Sequence, residues 1–167
     1  MKIKNNLPAL RIGLSVLASA ILYLWVNFLF SSEEGRIRSF ILEGKRSAES
    51  KNILSCASMI SRDYSDKYNN DRQTLIYIAR EAFAYYKAII IGIDKMDIRI
   101  DDSKVKATVE IVAMALCQSK DNKSEKIFEG EKGRFRVKLI KEKGKWQLLE
   151  LELLERMTIM GQVIDAA

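Results

Sequence analysis

Residues 12–30 run for nineteen positions without an Asp, Glu, Lys, Arg or His, behind Lys2, Lys4 and Arg11 and ahead of Ser31-Ser32-Glu33-Glu34. About 20 apolar residues cross the hydrocarbon core of a bilayer as a helix. At about 1.5 Å per residue this run reaches about 28 Å, enough for one crossing with little tilt. Basic flanks tend to stay on the cytoplasmic side. The expected layout is therefore a basic cytoplasmic tail over 1–11, a transmembrane anchor over 12–30, an extracytoplasmic domain over 31–156 and a C-terminal tail over 157–167. The alternative is a cleaved signal peptide and a secreted domain, for which Ala18-Ser19-Ala20 supplies a small-x-small site. Cleavage there would leave the apolar stretch Ile21 to Phe30 as the new N-terminus, whereas a cleavage site should follow such a run, so an uncleaved anchor fits better.

The remaining chain is long enough to bury one core. Its charge is milder than the formal +6 of the whole sequence: three of the 28 Lys and Arg residues precede the anchor and all 22 acids follow it, leaving 25 against 22, or +3. A small excess spread through mixed-sign clusters does not point to nucleic acid as a partner. Membrane lipid meets residues 12–30, and the basic tail suits anionic headgroups. The chain has no His and no Cys-x-x-Cys, so the common zinc sites cannot be assembled, and no metal or cofactor is expected. Cys56 and Cys117 are expected to be buried thiols, since spacing alone cannot place them within disulfide range.

Downstream of the anchor the hydrophobic period is helical first and alternating later. Ile37, Phe40 and Ile41 predict a helix from Glu33 stopping near Gly44. A second helix is expected after Ser47 as N-cap, burying Ala48, Ile53, Leu54, Ala57 and Ile60. The polar stretch Asp63 to Asn70, with Tyr64 and Tyr68, reads as a loop. A third helix of about 17 residues starts at Asn70 and carries Leu75, Ile78, Ala79, Ala82 and Tyr86 on one face, which makes it the expected spine of the core. Strands follow over Ile89–Ile100, Lys104–Cys117, Gly133–Lys141 and the segment containing Leu149, Leu151 and Leu153. Gly92 marks a bulge or bend, and the charged segment 119–126 is a hairpin loop. Arg134, Arg136 and Lys138 face Glu150 and Glu152 across the last hairpin, a complementary pairing that an ordinary solvated sheet face explains.

Three helices followed by a four-stranded antiparallel meander make an α+β domain with its helices on one sheet face. The long helix running into the Ile89 strand, together with the closing Gly144-Lys145-Trp146-Gln147-Leu148-Leu149, resembles the cone-shaped nuclear transport factor two-like superfamily. That superfamily includes ketosteroid isomerase-like and SnoaL-like domains, and the resemblance spans most of residues 33–155. It implies three functional branches. Its enzymes move protons with an acid or histidine at the base of the cone. Here the conceivable bases are Glu81, Asp94, Asp97 and Glu110; Asp94 and Asp97, three apart on a regular strand, should face opposite sides and form no dyad. Its binding branch would place a small ligand beneath the long helix, lined by Phe83, Tyr85, Tyr86, Ala107, Ala113 and Ala115, although the alanines equally allow close packing of helix on sheet. Its architectural branch fits the layout best. A short tail, one membrane helix and an outer cone-like domain resemble bitopic assembly components of bacterial type IV secretion machines. The expected role is a non-catalytic interaction or assembly module with protein partners in the cell envelope. A tethered ligand-binding domain is the runner-up, and an isomerase- or hydratase-like enzyme comes third.

Overall fold

The computed structural model describes Ser19, residues 32–120 and residues 129–157; the expected anchor at 12–30, apart from Ser19, the loop tip at 121–128 and the tail after 157 lie outside them. Among the described residues no helix is long and apolar enough to cross a membrane. The domain is α+β: three helices, α1 (Glu33–Glu49), α2 (Ile53–Met59) and α3 (Arg72–Tyr85), then four strands, β1 (Tyr86–Ile100), β2 (Lys106–Ser119), β3 (Glu129–Glu142) and β4 (Lys145–Met157). The strands form one antiparallel meander in the order β1-β2-β3-β4.

Each helix starts where a short polar side chain can take an unsatisfied N–H of the first turn. Ser32 Oγ accepts from Gly35 N, Asn52 Oδ1 from Ser55 N, and Asp71 Oδ1 from Thr74 N. Two expected boundaries are thereby corrected. The first helix does not stop at Gly44 but continues to Glu49, placing Ser47, the expected N-cap of the next helix, inside it and buried. Gly44 lies within this helix, and a Cβ there would meet only ordinary contact with Met59. The third helix is capped by Asp71 rather than Asn70, whose N–H and side-chain amide instead donate to the Asp66 carboxylate. At the far end of the chain, Lys143 (φ 49°) and Gly144 (φ 79°) make the two-residue reversal between β3 and β4. That left-handed backbone is the reason glycine stands at the turn.

Alternation along the strands builds a core on one sheet face. Ala107, Val109 and Ile111 of β2 lie beside Val137 and Leu139 of β3 and Trp146 of β4, and Ile37 of α1 is fully buried against them. Phe40 and Ile41, one turn further along α1, pack on the same cluster with Met96, Ile98 and Ile100 of β1. The spine of the core is thus α1, not α3. No residue of α3 is fully buried, and Ile78, expected to face inward, is 48% exposed. Leu54 of α2, also expected inside, is 81% exposed. Helical periodicity identifies an apolar stripe but not the neighbour that covers it.

Both sheet edges are partly covered by chain from the helical half, which blunts edge-to-edge association. On β1, Ile91 N–H donates to Glu49 Oε1 at 2.8 Å, and Lys51 Nζ donates to the carbonyls of Tyr86 and Lys87. On β4, Ser61 N–H and Ser65 N–H donate to the carbonyls of Leu148 and Leu149, and Ile60 bridges Leu148 in parallel. This brings Tyr64 to 3% exposure inside a stretch whose composition reads as surface loop. Burial, with the Asp66 carboxylate beside it, pushes the Tyr64 phenol up to about 12.

A second clasp fixes the start of α1. Glu33 Oε1 accepts from Lys141 Nζ at 2.8 Å and Oε2 accepts from Trp146 Nε1 at 3.2 Å, joining the helix to both strands of the last hairpin. The Lys141 hydrogen bond holds the Glu33 carboxyl below its ordinary value.

Two stability predictions follow from this packing. Leu139, 1% exposed, should cost about 2–5 kcal/mol when changed to Ala. Leu54→Ala, on the surface, should change stability by no more than about 0.5 kcal/mol in the same urea titration. Glu33→Gln should lose about 1 kcal/mol at neutral pH. A carboxyl with a depressed folded-state pKa contributes stability above its unfolded value, near 4.5, and loses it as pH falls through the folded one. The gap between parent and variant should therefore close below pH 4.5, and a gap that persists or widens there would contradict the ionic role.

Candidate functional site

The six residues expected to line a pocket come from three elements, α3, β1 and β2. Ala107 is buried in the α1 core, paired with Ile100 and Leu139. Ala113 and Ala115 sit farther along β2 opposite Ile93 and Ile91. Ala115 is eight residues from Ala107, roughly 26 Å along an extended strand. Phe83 and Tyr86 are part-buried at the junction of α3 and β1, while Tyr85 is 51% exposed and packs edge-on against Tyr86 with ring centroids 4.9 Å apart.

The acids weighed as general bases reach the outer face of the sheet or the surface of α3. Asp94 Oδ2 pairs with Lys132 Nζ at 2.6 Å, Asp97 with Arg99 at 3.7 Å and Glu110 with Arg136 at 3.3 Å. Asp94 and Asp97 are not on opposite sides as a regular strand would place them. The register shifts between Ile93 and Lys95, so Asp94 is the extra residue of a bulge and the alternation restarts behind it. Glu81 is exposed on α3. The outer face carries a charge ladder in which Arg136 bridges Glu110 of β2 and Glu152 of β4, with Lys138 on Glu150 and Lys67 reaching Glu152. Cross-strand register places these groups directly opposite one another, as the sequence pattern requires.

Cys56 and Cys117 are part-buried thiols not joined by a disulfide. Burial raises the pKa of Cys56, which keeps it protonated and unreactive at neutral pH. Among the described residues no group of three His, Cys, Asp or Glu is placed to hold a metal ion.

Two open hollows form at the end of the domain where α1 begins. One, of about 520 Å³, is lined by Ser32, Glu33, Glu34, Ile100, Asp101, Asp102 and Lys104. The other, of about 430 Å³, lies between the loop after α2 and the β3–β4 turn and includes Arg62, Arg72, Lys143, Lys145 and Glu142. Neither was visible in the sequence, because the basic residues come from positions 62, 72, 143 and 145 and only the docking of the 60–65 segment on β4 unites them. A third surface is apolar. Tyr77 (60% exposed), Ile78 (48%) and Tyr85 (51%) all lie on the outer surface of α3, around the exposed Glu81, and Leu54 is exposed on α2.

No protein-family model and no curated protein matches the chain. Solved structures do match it in fold. A protein of Novosphingobium aromaticivorans assigned provisionally as a scytalone dehydratase superposes with a TM-score of 0.64 at 14% identity, covering 81% of this chain and 95% of its own. A nuclear transport factor 2-like superfamily protein of Salmonella enterica serovar Typhimurium gives 0.64 at 11% identity, covering 82% and 99%. A protein of Xanthomonas campestris assigned provisionally as a calcium/calmodulin-dependent protein kinase II association domain gives 0.60 at 14% identity, covering 71% and 84%. The described domain therefore has the nuclear transport factor 2-like fold, a cone that these neighbours share at identities too low to carry function across.

Proposed function

We propose that the chain is a membrane-tethered, non-catalytic interaction module of a cell-envelope complex. In this reading residues 12–30 span the membrane with the N-terminus in the cytoplasm, and the cone-like domain works outside it through protein contacts. The observation that carries the reading is the set of large apolar side chains that α3 exposes, Tyr77, Ile78 and Tyr85. Large apolar side chains exposed on one helix leave area that a partner can bury, and exposed tyrosines are favoured anchors at interfaces. The acids that could serve proton chemistry lend no support to an enzyme, since Asp94, Asp97 and Glu110 are paired with cations. The tail, anchor and outer domain match the layout of bitopic type IV secretion assembly components, which makes a scaffold within such a machine the specific form of the proposal.

The test is photo-crosslinking in native membranes from positions 77 and 85, with position 99 of the opposite sheet surface as control. Positions 77 and 85 should each trap one protein of defined mass, and Tyr77→Ser with Ile78→Asp should abolish the product without lowering the melting temperature by more than about 3 °C. No product from either position, with the domain recovered alone around an apolar small molecule, would favour the tethered ligand-binding reading instead.

A further inference from the structure

We propose that the groove between the loop after α2 and the β3–β4 turn is a docking site for the anionic headgroup of a membrane phospholipid. The inference rests on the anchor reading above. Four cations converge there, Arg62, Arg72, Lys143 and Lys145, with Ser58 and Gln147 as neutral hydrogen-bonding neighbours. Arg62, Lys143 and Lys145 have no carboxylate of the described residues within ion-pair distance, whereas many of the other cations of this domain are paired. Arg72 is held in place by donating from Nε to the carbonyl of Ile60 and from a terminal nitrogen to that of Ala57, which leaves its remaining N–H groups for a ligand. The one acid in the groove, Glu142, accepts from Ser61 Oγ, a fully buried hydroxyl.

Covalent geometry places this groove against the bilayer. Glu33 contacts Lys141 and Trp146, the residues flanking the β3–β4 turn. Glu33 is also only three residues beyond Phe30, the last residue of the expected span, a reach of at most about 11 Å even when extended. The turn therefore lies within about one or two Debye lengths of the headgroups, where fixed cations act on them with little screening. The acidic hollow at the same end is partly offset, Glu33 by Lys141 and Arg36 and Glu34 by Arg38, while Asp101 and Asp102 keep their charge; the groove itself sets four cations against Glu142 alone. A phosphodiester fits the basic groove because its two charged oxygens can accept from lysine and guanidinium donors together.

The experiment is hydrogen–deuterium exchange on the full chain in nanodiscs of phosphatidylcholine, with and without phosphatidylglycerol. Amides of 58–64 and 142–148 should exchange about fivefold more slowly or better in the anionic discs. Lys143→Gln with Lys145→Gln should remove most of that protection, while Lys87→Gln with Lys120→Gln, an equal charge change at the opposite end of the sheet, should not. Equal exchange in both discs, or equal loss in the two double variants, would overturn the proposal. Protection in phosphatidylcholine discs by inorganic phosphate at the same phosphate concentration would overturn the headgroup as the ligand and leave a site for a free anion. A chain that enters neither disc would instead refute the anchor reading; one that enters both without protection refutes this inference alone.

Discussion

The packing of α1 across the inner face of the sheet is the constraint from which the remaining structure follows. Ile37, at zero exposure, sits on Val109, Leu139 and Trp146, and these come from three different strands. Glu33 then ties the first turn of the same helix to the last hairpin, and Glu49 ties its last turn to the edge of β1. A helix fixed at both ends on a sheet leaves little freedom for the segments hung from it. The loop after α2 is carried onto the edge of β4, and α3 is left on the outside with Tyr77, Ile78 and Tyr85 exposed.

The same arrangement explains why charge is distributed as it is. Outward positions of β2, β3 and β4 place acids and bases in register, so Arg136, Lys138 and Lys132 are satisfied by groups across the strand ladder. Exposed pairs of this kind contribute about 0–1 kcal/mol each and serve mainly to keep that face solvated and correctly registered. At the end where α1 begins, by contrast, four cations collect from distant parts of the chain around the single carboxylate of Glu142, beside a separate acidic hollow. The domain thus offers surfaces of different chemistry: a self-neutralised sheet face, a basic groove, an acidic hollow and the exposed tyrosines and isoleucine of α3.

Much of the fold was legible in the sequence, and its physical origin is plain. The strands were readable because Val105 to Cys117 and Phe135 to Leu139 alternate, and a period of two has one structural meaning. The hairpin at Lys143-Gly144 was readable because the residue types demand a reversal. What remained hidden depends on long-range contact. Gly44 looked like a helix stop, yet only the docking of α1 decides that the helix runs another turn. Ile78 and Leu54 looked buried because apolar residues at helical spacing are indifferent to which neighbour exists. Tyr64 looked like loop surface because its burial comes from β4, some eighty residues away in sequence. The basic groove had no local signature at all, since its cations come from positions 62, 72, 143 and 145.

The central claim, a cone-like domain held at a membrane by its helical end, is tested most directly by depth. A fluorophore at position 143 and another at position 120, at opposite ends of strands about 40 Å long, can be quenched from headgroup-labelled lipid in vesicles carrying the full chain with its two thiols replaced. The account predicts strong quenching at 143 and little at 120. Equal quenching at both positions, or release of the domain from the vesicles, would contradict it.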